Sequence, residues 1–252
     1  MQLTRQDQGG KTGFGKVFAY LRDRLLDGSV RPGDRLIAER ELSVQLGVGR
    51  PVLREALRAL AMIGVVEIRP GLGTVVRQPD GAILGEFFAF ALGQHSDVLS
   101  DVMQARIAIE TQAARLGCTR ATQADHDRLR SALDRVVATI DEPLAGGQAD
   151  FDFHLSLVAA SHSDTLLGIY QAIADLLSRS HVQRRGLVQF SPGMRDYLIQ
   201  DHRRVFDALV SRDPDRADET LRRHFAIGDE YRQKGVIEAA RQANGTPHRR
   251  DN

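Results

Sequence analysis

Apolar residues in the first third of the chain recur at helical spacing, and polar residues fill the opposite faces. Val17, Leu21 and Leu25 stand four apart and Gly28 stops the run, which predicts a helix over about residues 14–27. The turn Arg31-Pro32-Gly33-Asp34 follows, where proline presets one backbone angle and glycine tolerates a positive one. Two more helices are predicted at about 39–46 and 50–62, either side of Leu46-Gly47-Val48-Gly49. In the third helix Leu53, Leu57 and Leu60, with Ile63 beyond, form one face. Arg50, Arg54 and Arg58 fall at successive i+4 positions on the other. The β-branched runs at 65–68 and 74–76 are joined by Arg69-Pro70-Gly71-Leu72-Gly73, which predicts a hairpin. Together these elements make a winged helix-turn-helix over residues 13–78.

From Gly81 onward the strand signal disappears. Helical patterns are predicted at about 81–93, 97–119, 122–140, 147–162, 164–189, 193–211 and 214–234, separated by short Gly, Pro, Asp or Ser breaks. Asp213 suits the cap of the last helix and Pro214 its first turn. The expected fold is therefore mainly α: the winged helix, then an all-helical bundle over residues 79–236. Residues 1–12 and 241–252 read as a polar tail and a frayed end, and no internal repeat is present.

Composition narrows the functional classes. With 42% hydrophobic and 27% charged residues, the 252-residue chain reads as soluble and globular. No apolar run approaches the roughly 20 residues of a membrane helix, and the polar N-terminus has no signal core. The lone Cys118 suits a reducing compartment, so a cytoplasmic protein is expected. The net charge of +1 hides an asymmetry: residues 11–77 carry twelve Lys/Arg against seven acids, a net +5, and residues 78–252 carry 21 against 25, a net −4. A basic first third whose arginines share a helix face suits double-stranded DNA. Arg50 and Arg54 lie in the first two turns of that helix, where guanidinium groups reach guanine edges and the helix N-terminus favours phosphate.

In the second part, Asp150 and His154 are neighbours on one helical face, and His202 and His224 fall on two later helices. A carboxylate and three imidazoles form a shell suited to a divalent transition ion. Arg106 stands among apolar residues with Glu110 four positions on, where an unpaired guanidinium would be costly. His162 and His181 offer only a structural or surface role, and His95, His126 and His248 read as exposed. No HExxH, nucleophile elbow or phosphate loop accompanies the histidines, which argues against a metal hydrolase.

With these residues in view, the chain resembles the GntR family of bacterial transcription regulators, and within it the FadR-type subfamily with an FCD effector domain. One match runs from Gly28-Ser29-Val30-Arg31-Pro32-Gly33-Asp34-Arg35-Leu36 through Glu39-Arg40-Glu41-Leu42 and Val52-Leu53-Arg54-Glu55-Ala56-Leu57 to Ile68-Arg69-Pro70-Gly71-Leu72-Gly73. The other is Asp150-Phe151-Asp152-Phe153-His154 with His202 and His224; together they cover about residues 14–233. A seventh helix at 81–93 favours the FadR-type arrangement. Gly49 departs from the family by standing where Ser or Thr is usual.

The resemblance implies DNA contacts from Arg40, Arg50 and Arg54, with Gly71 letting the wing approach the duplex. It implies a metal, zinc first with nickel or manganese as alternatives, on Asp150, His154, His202 and His224. A small carboxylic or sugar acid would bind both the metal and Arg106. The expected protein is a homodimer on a pseudo-palindromic operator, a repressor released by its ligand and not an enzyme. A pure metal-ion sensor is the alternative.

Overall fold

The computed structural model describes residues 12–79, 81–92, 98–187 and 192–245. The chain divides into two compact units, Met1–Ile83 and Leu84–Asn252.

In the first unit, α1 (Gly13–Leu26) begins where the Thr12 hydroxyl accepts from the Gly15 N–H at 3.1 Å. Helix α2 (Glu39–Leu46) ends at Gly47, whose φ of 60° allows its N–H to turn back onto the Ser43 and Val44 carbonyls. Helix α3 (Arg50–Met62) starts without a side-chain cap, because Gly49 has no side chain to offer. Strands β1 (Val66–Arg69) and β2 (Gly73–Val76) pair antiparallel with Val66 opposite Val76 and Arg69 opposite Gly73. The segment after the Pro32 turn adds a bridge, Arg35 to Val75, that alternation did not foretell. Val17, Leu21, Leu36, Leu42, Leu53 and Leu57 are at the centre of a separate small core. Ile63 departs from expectation: it caps α3 and is 37% exposed instead of buried, because the helix ends one residue before it.

The second unit is helical throughout its described residues: α4 (Ala82–Leu92), α5 (Val98–Arg120), α6 (Gln123–Ala138), α7 (Pro143–Ala159), α8 (Asp164–Ala172), α9 (Ala174–Leu187), α10 (Pro192–Val210) and α11 (Pro214–Gly245). Three boundaries differ from expectation. The helix expected over 164–189 is two, because the Ile173 N–H bonds to Tyr170 O, a tight final turn that ends α8. Helix α7 starts earlier than expected and runs through Gly146 and Gly147. These are close-packing positions: a Cβ on Gly147 would meet the Val182 backbone of α9 at 2.7 Å, and one on Gly146 would meet Thr139 O at 2.6 Å. Helix α11 runs on to Gly245, into the end read as frayed. No helix among the described residues is long and apolar enough to cross a membrane.

At the start of α6, Thr122 and Asp125 form a reciprocal capping box, with the Thr122 N–H donating to Asp125 at 2.8 Å. His162, at φ 47°, places Nε2 2.8 Å from the same carboxylate, and Arg128 also pairs with it. Burial alone would raise the Asp125 pKa, but the Thr122 hydroxyl and amide and His162 hold it well below the ordinary carboxylate range. A depressed folded pKa means a contribution that is present above about pH 4, the unfolded value, and is lost as pH falls through the folded value. Asp125→Asn is expected to cost about 1–2 kcal/mol at pH 7. Thermal melts from pH 7 down to pH 2 should show the gap between variant and wild type closing on the acid side.

Candidate nucleic-acid interface and metal centre

The basic face of α3 is exposed. Arg40, Arg50 and Arg54 all reach solvent, and Leu53, Ala56, Leu57 and Leu60 bury the other face. Arg54 Nε lies 2.7 Å from Glu39 Oε2, tying α3 to the start of α2. Arg58 pairs with Glu55 one turn away, and Arg69 and Arg77 share Glu67 on the wing. Gly71 sits exposed at the tip of the hairpin with φ 75°, a conformation that leaves no side chain between the wing backbone and a partner. Arg35 lies against the wing, its Nε 3.2 Å from where a Cβ on Gly73 would stand.

In the helical unit, α5, α7, α9, α10 and α11 bring Arg106, Asp150, His154, His181, His202 and His224 around one cavity or against its wall. Each of His154, His202 and His224 has Nδ1 facing an acceptor: Glu110 Oε2 at 2.5 Å, Leu198 O at 2.9 Å and Asp201 Oδ2 at 2.7 Å respectively. When Nδ1–H is donated in this way, the lone pair is left on Nε2. One ring nitrogen from each of the three lies within 4.8 Å of the others. His154 Nε2 is buried with no hydrogen-bond partner among the described residues. It and His202 Nε2 stand 3.3 and 3.2 Å from Asp150 Oδ1.

Those distances test the donor set. A nitrogen lone pair facing a carboxylate oxygen at that range is repulsive unless a proton or cation lies between them. Ligands held at about 2.0–2.2 Å from one ion stand roughly 3.0–3.5 Å apart, so the residues present fit a divalent ion. Burial pushes the His224 imidazole down to about 4, so it is neutral and ligand-competent at pH 7.

Arg106 is 4% exposed. Its Nε donates to Glu110 Oε1 at 2.7 Å, its Cζ stands 4.8 Å above the Phe225 ring, and its Nη2 has no partner among the described residues. Burial alone would raise the Glu110 pKa, but Arg106 and His154 hold the carboxyl well below its usual range. Tyr170 completes the group by donating to Glu110 Oε1 at 2.8 Å. An ionised Glu110 thus orients one arginine and one histidine together.

Four contributors carried no motif: Tyr170, His181, Arg185 and Asp201. His181, expected in a structural or surface role, is buried with Nδ1 3.3 Å from Asp150 Oδ1, and burial pushes its pKa down to about 3. Arg185, one turn further along α9, approaches the other oxygen of Asp150 at 3.5 Å. Their i+4 spacing was the signal available. Asp201, beside His202, orients the neighbouring helix's His224 instead. His126 is half-buried where exposure was expected, because it lies in the first turns of α6 beside Asp125; His95 and His248 lie outside the described residues.

Comparisons with known proteins agree with both halves. Residues 15–76 match the family described as bacterial regulatory proteins, gntR family, and residues 101–226 match the FCD domain. The chain is 30% identical over 216 residues to a putative L-lactate dehydrogenase operon regulatory protein of Escherichia coli K12, covering 84% of this chain and 83% of that one. It is 31% identical over 215 residues to the HTH-type transcriptional repressor NanR of Citrobacter rodentium, covering 80% and 81%. It is 28% identical over 219 residues to the Glc operon transcriptional activator of Escherichia coli K12, covering 83% and 85%. The solved structure of Streptococcus agalactiae GntR shares the fold, with a TM-score of 0.63 at 22% identity over 87% of this chain and all of that one. A winged helix with an arginine face, followed by a helical unit of this type, is a DNA-binding transcriptional regulator and not an enzyme: the chain belongs to the GntR family, with an FCD domain as its second part.

Proposed function

We propose that the chain is an effector-gated repressor of the cytoplasm, working as a homodimer on a pseudo-palindromic operator. Residues 13–78 form the DNA-binding domain and 79–236 the sensing domain. Arg50 and Arg54 read base edges from α3, Arg40 contacts phosphate from α2, and the Gly71 tip brings the wing to the duplex. Support comes from a preformed basic face with its own core beneath it. In this reading the effector acts by releasing DNA.

In the sensing domain we assign Asp150, His154, His202 and His224 to a divalent ion, zinc with nickel or manganese as alternatives. The bound ion supplies a Lewis-acidic anchor for a carboxylate oxygen. Arg106 supplies the other half of the recognition, since its Nη2 is buried and unused beside the histidines. A guanidinium held on its Nε edge by Glu110 presents the remaining edge to an anion. The observation that carries this reading is the buried His154 Nε2 facing Asp150 with no proton donor between them. A small carboxylic or sugar acid fits such a pair, and the operon named for the lactate relative is consistent with one. In a dimer, half-sites about 34–36 Å apart fix the spacing of the recognition helices, so a small reorientation on ligand binding weakens specific association.

Two outcomes test the assignments. Arg54→Ala should weaken operator binding about ten- to a hundredfold while leaving salt-sensitive association with unrelated DNA, read by fluorescence anisotropy at two salt concentrations. Unchanged operator affinity in that variant would remove α3 as the reading helix. His202→Ala should lower metal affinity at least about tenfold, measured by competition with a chromophoric chelator. It should also abolish the acid-induced rise in melting temperature. A metal that binds the wild type while every acid leaves operator binding unaltered would point to the pure metal sensor.

A further inference from the structure

The cavity beside Arg106 and the histidines holds about 70 Å³, and most of its wall is buried. A second hollow of about 370 Å³ adjoins it, with a more exposed lining that includes Gln104, Ile107 and Arg222. Met103, Arg184 and Phe225 line both. Met103 and Phe225 are 6% and 4% exposed, so they stand between the two spaces as buried side chains. Arg184 Nη1 lies 3.8 Å from Asp229 Oδ1, and Asp229 belongs to the outer hollow. Gly228 belongs to the inner one, and a Cβ there would meet Arg184 Nη2 at 3.2 Å, so the guanidinium passes close over the glycine. Phe225 is held by the Arg106 guanidinium stacked on its ring. Met103 carries no charge and no hydrogen-bond donor.

We infer that Met103, Phe225 and Arg184 form a partition that sets the length of the acid the site accepts, with Met103 its size-determining residue. This rests on the effector reading above and deepens it. The inner cavity is less than half of the roughly 150 Å³ that takes a benzene molecule, so it suits the short end of the acid series. A longer acid with its carboxylate at Arg106 needs its tail in the outer hollow, and the Met103 side chain stands in that path. Truncating Met103 joins the two spaces without altering the charged groups that recognise the carboxylate.

The test is calorimetric titration of the zinc-loaded full chain with glycolate, glycerate and gluconate, acids of one head group and growing length. The wild type is expected to bind glycolate and glycerate at least about tenfold more tightly than gluconate. Met103→Ala should gain about tenfold or more for gluconate while glycolate stays within about threefold. Gly228→Ala is a helix-favouring change that narrows the inner cavity from the other side. It should weaken glycerate and leave glycolate in place. Ile107→Ala, in the outer lining alone, should keep the wild-type order. If Met103→Ala does not fold, Met103→Val removes less volume and Gly228→Ala carries the opposite shift. Equal affinity of the wild type for gluconate and glycolate overturns the partition, as do a gluconate affinity unchanged in Met103→Ala and a glycerate affinity unchanged in Gly228→Ala. A zinc-loaded wild type that binds none of the three acids overturns the effector reading itself.

Discussion

A single buried carboxylate organises the sensing unit. Glu110 is fully enclosed, and Arg106, Tyr170 and His154 converge on its two oxygens from α5, α8 and α7. An ionised carboxylate is tolerated in such a place only with complete pairing, because the loss of hydration is large. Here the pairing does more than offset that loss. It takes up the Nε of Arg106 and the Nδ1 of His154, so that Nη2 of the one and Nε2 of the other are left without a hydrogen-bond partner among the described residues, the two atoms that the proposed function gives to a ligand and an ion. Replacing any one of the three donors would leave the buried carboxylate short of a partner and so weaken the group as a whole.

The same device recurs at the other two histidines. Asp201 fixes His224, and a helix carbonyl four residues back fixes His202, so all three rings are held by their Nδ1 edges. The core of the unit is built from α5, α6, α7, α9, α10 and α11, whose apolar faces include Ile109, Leu129, Phe153, Leu177, Leu209 and Leu221. Rigid apolar packing around a polar centre keeps the donors converging. Gly147 matters to that packing, because its missing side chain lets α7 approach α9 closely enough for Asp150 to meet His181.

How much of this was legible in the sequence follows from what is local. The arginine face of α3, its leucine back and the hairpin glycines are properties of single elements, and their periods fixed them. The i+4 pair Asp150 and His154 was local too, and Arg106 with Glu110 likewise. Their convergence with His202 and His224 was legible only through family resemblance, because nothing in spacing says that helices far apart in sequence share a cavity. Tyr170 and Asp201 were invisible for the same reason: their partners lie on other helices. The break at Ile173 has no Gly or Pro to announce it, and Gly146-Gly147 gave a false break because close packing and helix termination use the same residue. Length and charge told of two modules but not of the chemistry within either.

Two arginine–carboxylate pairs with the same 2.7 Å contact distance show how environment divides structure from function. Arg106 and Glu110 are both buried, so separating them would strand charge in a poor dielectric, and the pair behaves as a fixed part of the fold. Arg54 and Glu39 are solvent-screened, with side chains 56% and 31% exposed. An exposed ion pair adds little to stability, so in the proposed DNA-reading role that contact can be exchanged for a base edge or a phosphate. A regulator needs both kinds: a sensing centre whose donors stay in place while ligands come and go, and a reading surface whose charges are positioned but available. The chain obtains them from one pairing chemistry by placing one copy inside the core of the helical unit and the other on the surface of the winged helix.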